Sequence, residues 1–216
     1  AVRTILALAS RDVRLAYGRG GATLPVIFFL LVATLYPFGV GPDGPLLAKT
    51  GGGVLWIAAL LASLLPIDRL IAPDLEQGIF DQLAVRGVSE EGIILAKLAG
   101  HWLGFGPPLL IAAVPAAALL RLDGSILTRL EMGLLIGTPG LAALSVLIAS
   151  LTAGVRGAGA LAGLLMLPLA VPLLIFGAGS LDPFGGSALK LLAACSMMAV
   201  AITPFAAGAA IRAARE

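Results

Sequence analysis

One polar stretch divides an otherwise apolar chain: Ile67–Lys97, with the sequence IDRLIAPDLEQGIFDQLAVRGVSEEGIILAK. It carries six of the twelve acidic residues, and long uncharged runs flank it on both sides. Of the 216 residues, 59% are hydrophobic and 12% are charged, whereas soluble domains carry about 25% charged residues. The composition therefore predicts a membrane protein whose main aqueous feature is this stretch.

The apolar part of the chain divides into six uncharged runs. Each is close to the ~20 residues that a helix needs to cross a hydrocarbon core of ~30 Å. Strands of a membrane barrel would instead be ~10 residues long and polar at every second position. We therefore predict one all-α membrane domain, residues 1–216, with six transmembrane helices. The predicted spans are about 21–41, 50–69, 95–120, 129–154, 158–180 and 189–211.

The first residues predict an amphipathic helix at about 2–18. On a helical wheel, Arg3, Arg11 and Arg14 lie opposite an apolar face that includes Leu8. This pattern is typical of an interfacial helix that lies on the membrane surface; the alternative is a plain cytoplasmic tail. Arginines on both sides of a short apolar run are not typical of a cleavable signal peptide.

The basic residues predict the orientation, because Lys and Arg near helix ends are retained on the cytoplasmic side. Placing both termini inside puts ten basic residues on the inner side and four on the outer side. The inner ones are Arg3, Arg11, Arg14, Arg19, Arg69, Arg86, Lys97, Arg156, Arg212 and Arg215; the outer ones are Lys49, Arg121, Arg129 and Lys190. The basic residues form no groove-sized patch, so a nucleic-acid partner is not expected.

Within the polar stretch, the pattern predicts a short surface helix at about 73–86. Pro73 suits a first helical turn, and Leu75, Ile79 and Leu83 recur on one side at a spacing of four residues. Such a helix would present a narrow apolar face at the membrane surface.

The stretch then predicts a stop and a new start. Gly87 suits a helix end, and Ser89 suits the N-cap of the third span. That span contains Pro107, Pro108 and Pro115. Because proline lacks an N–H donor, we expect that the span is not one straight hydrogen-bonded helix.

Glycines spaced four apart in the spans predict close helix packing. The pairs are Gly100 with Gly104, Gly133 with Gly137, and Gly159 with Gly163.

The spans contain few side chains that could act in catalysis. His101 is the one candidate catalytic group in the six spans, so convergent titratable groups are missing and no catalytic residue is assigned. The stretch Gly44–Thr50 lacks the glycine that precedes lysine in a phosphate loop. Cys195 is alone, which excludes an intrachain disulfide and a paired-cysteine metal site. We predict a non-enzymatic chain without a metal site, whose energy is supplied by a partner.

Some residues have two interpretations each. His101, with Trp102 beside it, is a candidate ligand-binding residue because imidazole binds haem iron; alternatively it bonds a neighbouring helix or an interfacial water. Met197 and Met198 are soft ligands or simple packing residues. Trp56 and Trp102 are core or interface anchors.

The run Asp74–Leu83, followed by Ser89, Ile94–Lys97, His101 and Trp102, carries a family resemblance. It resembles the acidic-Gly-(Thr/Ile)-(Leu/Phe)-acidic-Gln-Leu pattern and the following Lys…His-Trp of CcmB, the haem exporter membrane subunit of bacterial cytochrome c maturation. Its first part is shared loosely with other ABC-2 type permeases, and its second part is more particular. The length, the six spans and the arginine-rich N-terminal helix are similar too.

The resemblance implies a multi-pass protein of the bacterial inner membrane. It implies a permease homodimer bound to two copies of the ATPase CcmA, which would hold the ATP, and working with CcmC, CcmD and the haem chaperone CcmE. The complex would use ATP to export haem b or to release the haem-loaded chaperone. The chain has no tryptophan-rich haem motif, so we expect that a partner holds most of the haem.

The resemblance also implies where the ATPase binds. The predicted helix 73–86 would be a coupling helix seated in a cleft of the ATPase, and its movement would tilt the second and third spans. The predicted contact residues are Asp74, Leu75, Glu76, Ile79, Phe80, Asp81, Leu83 and Arg86.

Three alternatives remain open from the residues alone. The first alternative is an ABC-2 permease for a lipid or a drug, which would differ from a haem exporter only in the substrate that its helix bundle admits. A stand-alone secondary carrier is disfavoured because the spans hold almost no ionisable groups. A structural assembly subunit without a transport path is compatible with all the residues discussed.

Overall fold

The computed structural model describes residues 2–18, 21–155 and 158–215, and these ranges form helices and connections without a strand. Arg19 and Arg156, which belong to the predicted inner side, lie outside the described residues. The helices are α1 (Val2–Gly18), α2 (Thr23–Val40), α3 (Gly44–Leu64), α4 (Ala72–Glu76), α5 (Ile79–Val85), α6 (Glu90–Leu119), α7 (Gly124–Leu151), α8 (Ala158–Gly179) and α9 (Gly186–Arg215).

Six of these helices, α2, α3, α6, α7, α8 and α9, are long and apolar enough to cross a bilayer, which confirms the predicted number of spans. Helix α7 lies at the centre of the bundle, where it packs against α3, α6, α8 and α9. Helix α2 is at the edge and leaves most of its apolar surface exposed. The bundle therefore has one buried helix and a broad apolar outer surface.

The centre of the bundle is built around Trp56 of α3, which is 1% exposed. Three glycines from two other helices make room for its indole. A Cβ atom at Gly133, Gly137 or Gly177 would lie 3.1, 2.6 or 2.6 Å from the nearest ring atom. Larger side chains at these positions would overlap the ring, so the glycines allow α7 and α8 to close on α3. Trp56 is thus a core residue.

The prolines Pro107, Pro108 and Pro115 lie within α6 and do not end it. The helix is continuous from Glu90 to Leu119. Each proline removes only one N–H donor, and the neighbouring bonds of the helix can persist around it. The carbonyl left without a donor by Pro107 is that of Leu103, and the Tyr17 hydroxyl of α1 donates to this oxygen at 3.0 Å. A side chain from another helix therefore replaces the missing backbone donor.

Helix α1 lies along α6, and glycines of α6 let the two backbones approach closely. A Cβ atom at Gly100 would lie 2.8 Å from the Asp12 Cβ, and one at Gly104 would lie 2.8 Å from the Ala16 Cβ. Gly100 and Gly104 therefore provide close packing, as expected, with α1 as the partner.

The predicted helix boundaries around Ser89 are confirmed. Gly87 has a φ of +72°, which favours glycine and ends the preceding helix. The Ser89 hydroxyl accepts a hydrogen bond from the Gly92 N–H at 3.2 Å and caps α6. Asp123 caps α7 in the same way, and the hydrogen bond from the Ile126 N–H holds the pKa of its carboxyl below the ordinary value.

Candidate functional site

The polar connection, defined as residues 65–89 between α3 and α6, is the candidate site. It contains a 3₁₀ turn at Ile67–Arg69, then α4 and α5. The prediction of a single helix at 73–86 is wrong, because Gly78, with a φ of +66°, separates α4 from α5. A left-handed residue cannot continue an α-helix, so the chain turns there and the two short helices point in different directions.

The connection has a buried side and an exposed side. Phe80 and Leu83 are 1% and 8% exposed and pack into the core of this chain, so they do not lie on the surface where partner contact was predicted. Leu75 and Ile79 are half-buried against the same core. Apolar residues at helical spacing thus fasten the connection to the bundle. The predicted contact residues that are exposed are Glu76, Asp81 and Arg86.

Asp74 is also buried, and it belongs to an ionic cluster that joins α1, α4 and α6. We call this the Asp74 cluster; its members are Arg11, Asp12, Asp74 and Lys97. Asp74 accepts hydrogen bonds from both Arg11 and Lys97. Asp12 accepts bonds from Arg11 at 2.7 and 2.9 Å, and its second oxygen lies 3.1 Å from the Lys97 Nζ. Two cations and two carboxylates therefore neutralise each other.

The burial of Lys97 makes this cluster energetically important. Its side chain is 5% exposed, and the side chains of Asp12 and Asp74 are 14% and 12% exposed. A buried ammonium is tolerated only when it is paired and hydrogen-bonded. Arg11 is more exposed. Burial lowers its pKa, but hydrogen bonds to Asp74 and Asp12 outweigh this effect and raise the pKa above the ordinary value.

A second ionic group connects α9 to the polar connection and to the start of α6. The Arg215 guanidinium contacts Asp81 at 2.5 Å and Glu90 at 3.1 Å, and Arg212 contacts Glu91 at 2.7 Å. Asp81 and Arg212 are exposed, and solvent screens their charges, so these pairs contribute little to stability. These contacts place the C-terminal end of α9 at the same end of the bundle as the connection.

The two candidate ligand residues have different surroundings. His101 is 7% exposed and stacks on Phe105 with a centroid distance of 5.5 Å, and no described residue forms a hydrogen bond with its Nε2. Trp102 is half-buried, and its Nε1 donates to the Thr138 hydroxyl at 3.1 Å, so it connects α6 to α7. In the described part of the chain, no group of three or more His, Cys, Asp or Glu side chains is arranged to hold a metal ion.

The Asp74 cluster was not predicted from the sequence. Two signals were available: Asp12 is the one acidic residue in the otherwise basic N-terminal helix, and Lys97 lies between apolar residues of the third span. The carboxylate of Asp12 is unusual in a basic amphipathic helix, and the ammonium of Lys97 is unusual in a lipid-facing span. Each needs an opposite charge from another part of the chain.

Comparison with known proteins covers the whole chain. The family described as "CcmB protein" matches residues 3–214. The chain is 46% identical over 213 residues to "Heme exporter protein B" of Rhodobacter capsulatus, covering 95% of this chain and 97% of that protein. It is 45% identical over 214 residues to the protein of the same name in Paracoccus denitrificans, with the same coverage.

A third relative of the same name has a lower sequence identity. "Heme exporter protein B" of Escherichia coli strain K12 is 39% identical over 194 residues, which cover 87% of this chain and 88% of that protein. Six apolar helices and near-complete coverage of the relatives agree with the family match. The chain belongs to the CcmB protein family.

Proposed function

We propose that this chain is the membrane permease subunit of an ATP-driven ABC complex that acts in cytochrome c maturation. A CcmA-like ATPase hydrolyses ATP, and this chain couples that reaction to haem export or to release of a haem-loaded periplasmic chaperone of the CcmE type. CcmC-like and CcmD-like membrane proteins complete the complex, and the permease is a homodimer within it. The observation that carries the proposal is the 46% identity to a protein named Heme exporter protein B over 95% of the chain.

The orientation of the chain is part of this proposal. The polar connection, α1 and the C-terminal end of α9 meet at one end of the bundle through the two ionic groups. That end carries most of the basic residues, which favours the cytoplasmic side of a bacterial inner membrane. Helix α1 then lies beside the cytoplasmic half of α6, and both termini are cytoplasmic.

The ATPase binds the exposed side of the polar connection. Val85, at the end of α5, is 90% exposed, and exposed Asp81 and Arg86 flank it. An apolar side chain between opposite charges is a suitable centre for a small protein contact. The buried residues Phe80 and Leu83 support this surface from inside the chain and do not contact the ATPase directly.

The polar connection is joined covalently to α3 and α6, but its movement would also displace other helices. The Asp74 cluster attaches the connection to α1, and Arg215 attaches α5 to α9. A displacement of α4 and α5 by the ATPase therefore pulls on four helices, α1, α3, α6 and α9. This arrangement supports rigid-body coupling between ATP hydrolysis and the membrane bundle.

The function is tested in a bacterial strain that lacks its own Heme exporter protein B. Expression of this chain with its ATPase should restore covalent haem in the c-type cytochromes, measured by haem staining of membrane proteins, and the ATPase should co-purify with the chain. Co-purification of the ATPase without restored cytochromes would contradict the role in haem handling and favour a permease for another substrate. Loss of both would contradict the proposed function as a whole.

The partner surface is tested by Val85→Ser. We expect the affinity for the ATPase to fall about tenfold, or about 1.4 kcal/mol, because the apolar centre of the contact is removed. The measurement is titration of the purified ATPase onto the chain in detergent. Phe184→Ser is the matched control, since Phe184 is 94% exposed and lies between α8 and α9. Equal affinity of the Val85 variant and the unaltered chain would place the ATPase elsewhere.

A further inference from the structure

A cavity lies where α1, the polar connection and α6 meet. Its volume is about 550 Å³, and its lining includes the apolar side chains of Leu15, Leu70 and Phe105 together with charged side chains. Leu15 and Arg69 are both exposed, so the cavity opens at the surface of the bundle. A cavity of this size with apolar and charged walls suits an amphipathic ligand.

The ionisable side chains of the cavity leave one positive charge uncompensated. The Asp74 cluster lines it with two cations and two carboxylates, and Arg69 adds a third cation. Arg69 forms no salt bridge with any residue that the structure describes. Three cations against two carboxylates leave an excess of one, which a ligand with a single negative charge would balance.

His101 supplies a second, independent sign of a ligand. It lines the same cavity and is more than nine-tenths buried, yet its Nε2 has no hydrogen-bond partner among the described residues. Buried polar atoms are normally satisfied, and an exception needs an explanation such as a bound ligand. A neutral imidazole nitrogen can bond a hydroxyl or a phosphate oxygen.

We propose that this cavity binds the head group of a singly charged anionic glycerophospholipid. The phosphate lies beside Arg69, a polar head-group atom reaches His101, and the acyl chains leave past Leu15 toward the membrane. The site lies at the junction of apolar helices with the polar connection, where head groups meet protein. It requires that the chain lie in a membrane, but it does not depend on the role in haem export.

The test uses the full chain purified in detergent and native mass spectrometry with phosphatidylglycerol added. We expect one phosphatidylglycerol to remain bound per chain at concentrations where phosphatidylethanolamine, which has no net charge, is lost. Arg69→Gln should lower the retained phosphatidylglycerol about tenfold, whereas Arg69→Lys should retain it. Arg86→Gln is the matched control, because Arg86 is an exposed arginine of the same connection that does not line the cavity.

Several outcomes would overturn the proposal. Equal retention of the two lipids would show that charge is not selected. Displacement of the lipid by free glycerol 3-phosphate at equal concentration would show a phosphate site without lipid specificity. If one equivalent of haem displaced the lipid from the unaltered chain but not from His101→Leu, the cavity would be a porphyrin site. Circular dichroism of each variant establishes that the helices are intact before binding is compared.

Discussion

Replacement of Lys97 by methionine should lower the free energy of unfolding by about 3–5 kcal/mol, the usual cost of removing one partner from a buried ion pair. Methionine has nearly the same length, so the change removes charge with little change in volume. Asp12 and Asp74 would then face each other with Arg11 as their shared cation. The measurement is reversible unfolding of the chain in mixed detergent micelles, followed by circular dichroism.

Lys190→Met is the matched control, because Lys190 is exposed and forms no salt bridge with a described residue. Its unfolding free energy should stay within about 0.5 kcal/mol of the unaltered chain. Adding Asp74→Asn to Lys97→Met removes one of the two carboxylates and should recover part of the loss. If Lys97→Met matched its control, the cluster would have no structural importance, and coupling through α1 would lose its basis.

The same variant separates stability from coupling. At a temperature where Lys97→Met is still folded, the connection would be held to α1 by Arg11 and no longer to α6 by a charge. ATP hydrolysis by the bound ATPase should then continue while cytochrome maturation falls. This outcome is expected because the proposed ATPase surface around Val85 is unchanged, whereas the attachment of the connection to α6 is weakened.

The parts of the fold that depend on neighbouring residues could be predicted from sequence. The six spans follow from uncharged runs of the right length. The stop at Gly87 and the cap at Ser89 follow from the chemistry of single residues and are present in the structure. In each case, the physical cause lies within a few residues of its effect, so no knowledge of the tertiary fold is needed.

The candidate site depended on distant residues and was harder to predict. Asp74 meets Arg11, 63 positions away, and nothing local distinguishes it from a solvated aspartate. Phe80 and Leu83 form an apolar face that looks the same whether it meets a partner or the protein's own core. The donor that replaces the missing N–H of Pro107 also comes from a distant residue, Tyr17 of α1, which no local sequence pattern identifies.

Gly177→Ala should be the most damaging single-methyl addition in α8. The new Cβ atom would lie 2.6–2.7 Å from three atoms of the Trp56 indole, and Trp56 is surrounded by α7 and α8 on the inside of the bundle. A large buried ring cannot move aside without shifting other helices. We expect a loss of about 1–3 kcal/mol in the free energy of unfolding, as for other overpacked cores, measured as for Lys97→Met.

Gly163→Ala provides the control in the same helix, since a Cβ atom there would meet no atom of the described residues within 4 Å. Alanine favours helix over glycine by about 1 kcal/mol, so this variant should be as stable as the unaltered chain or slightly more stable. Opposite signs for the same chemical change in one helix can arise only from what the methyl group meets. Equal effects at both positions would contradict the close packing of α8 on Trp56. In a Trp56→Phe background, the Gly177→Ala defect should be relieved, because the smaller ring leaves room for the methyl group.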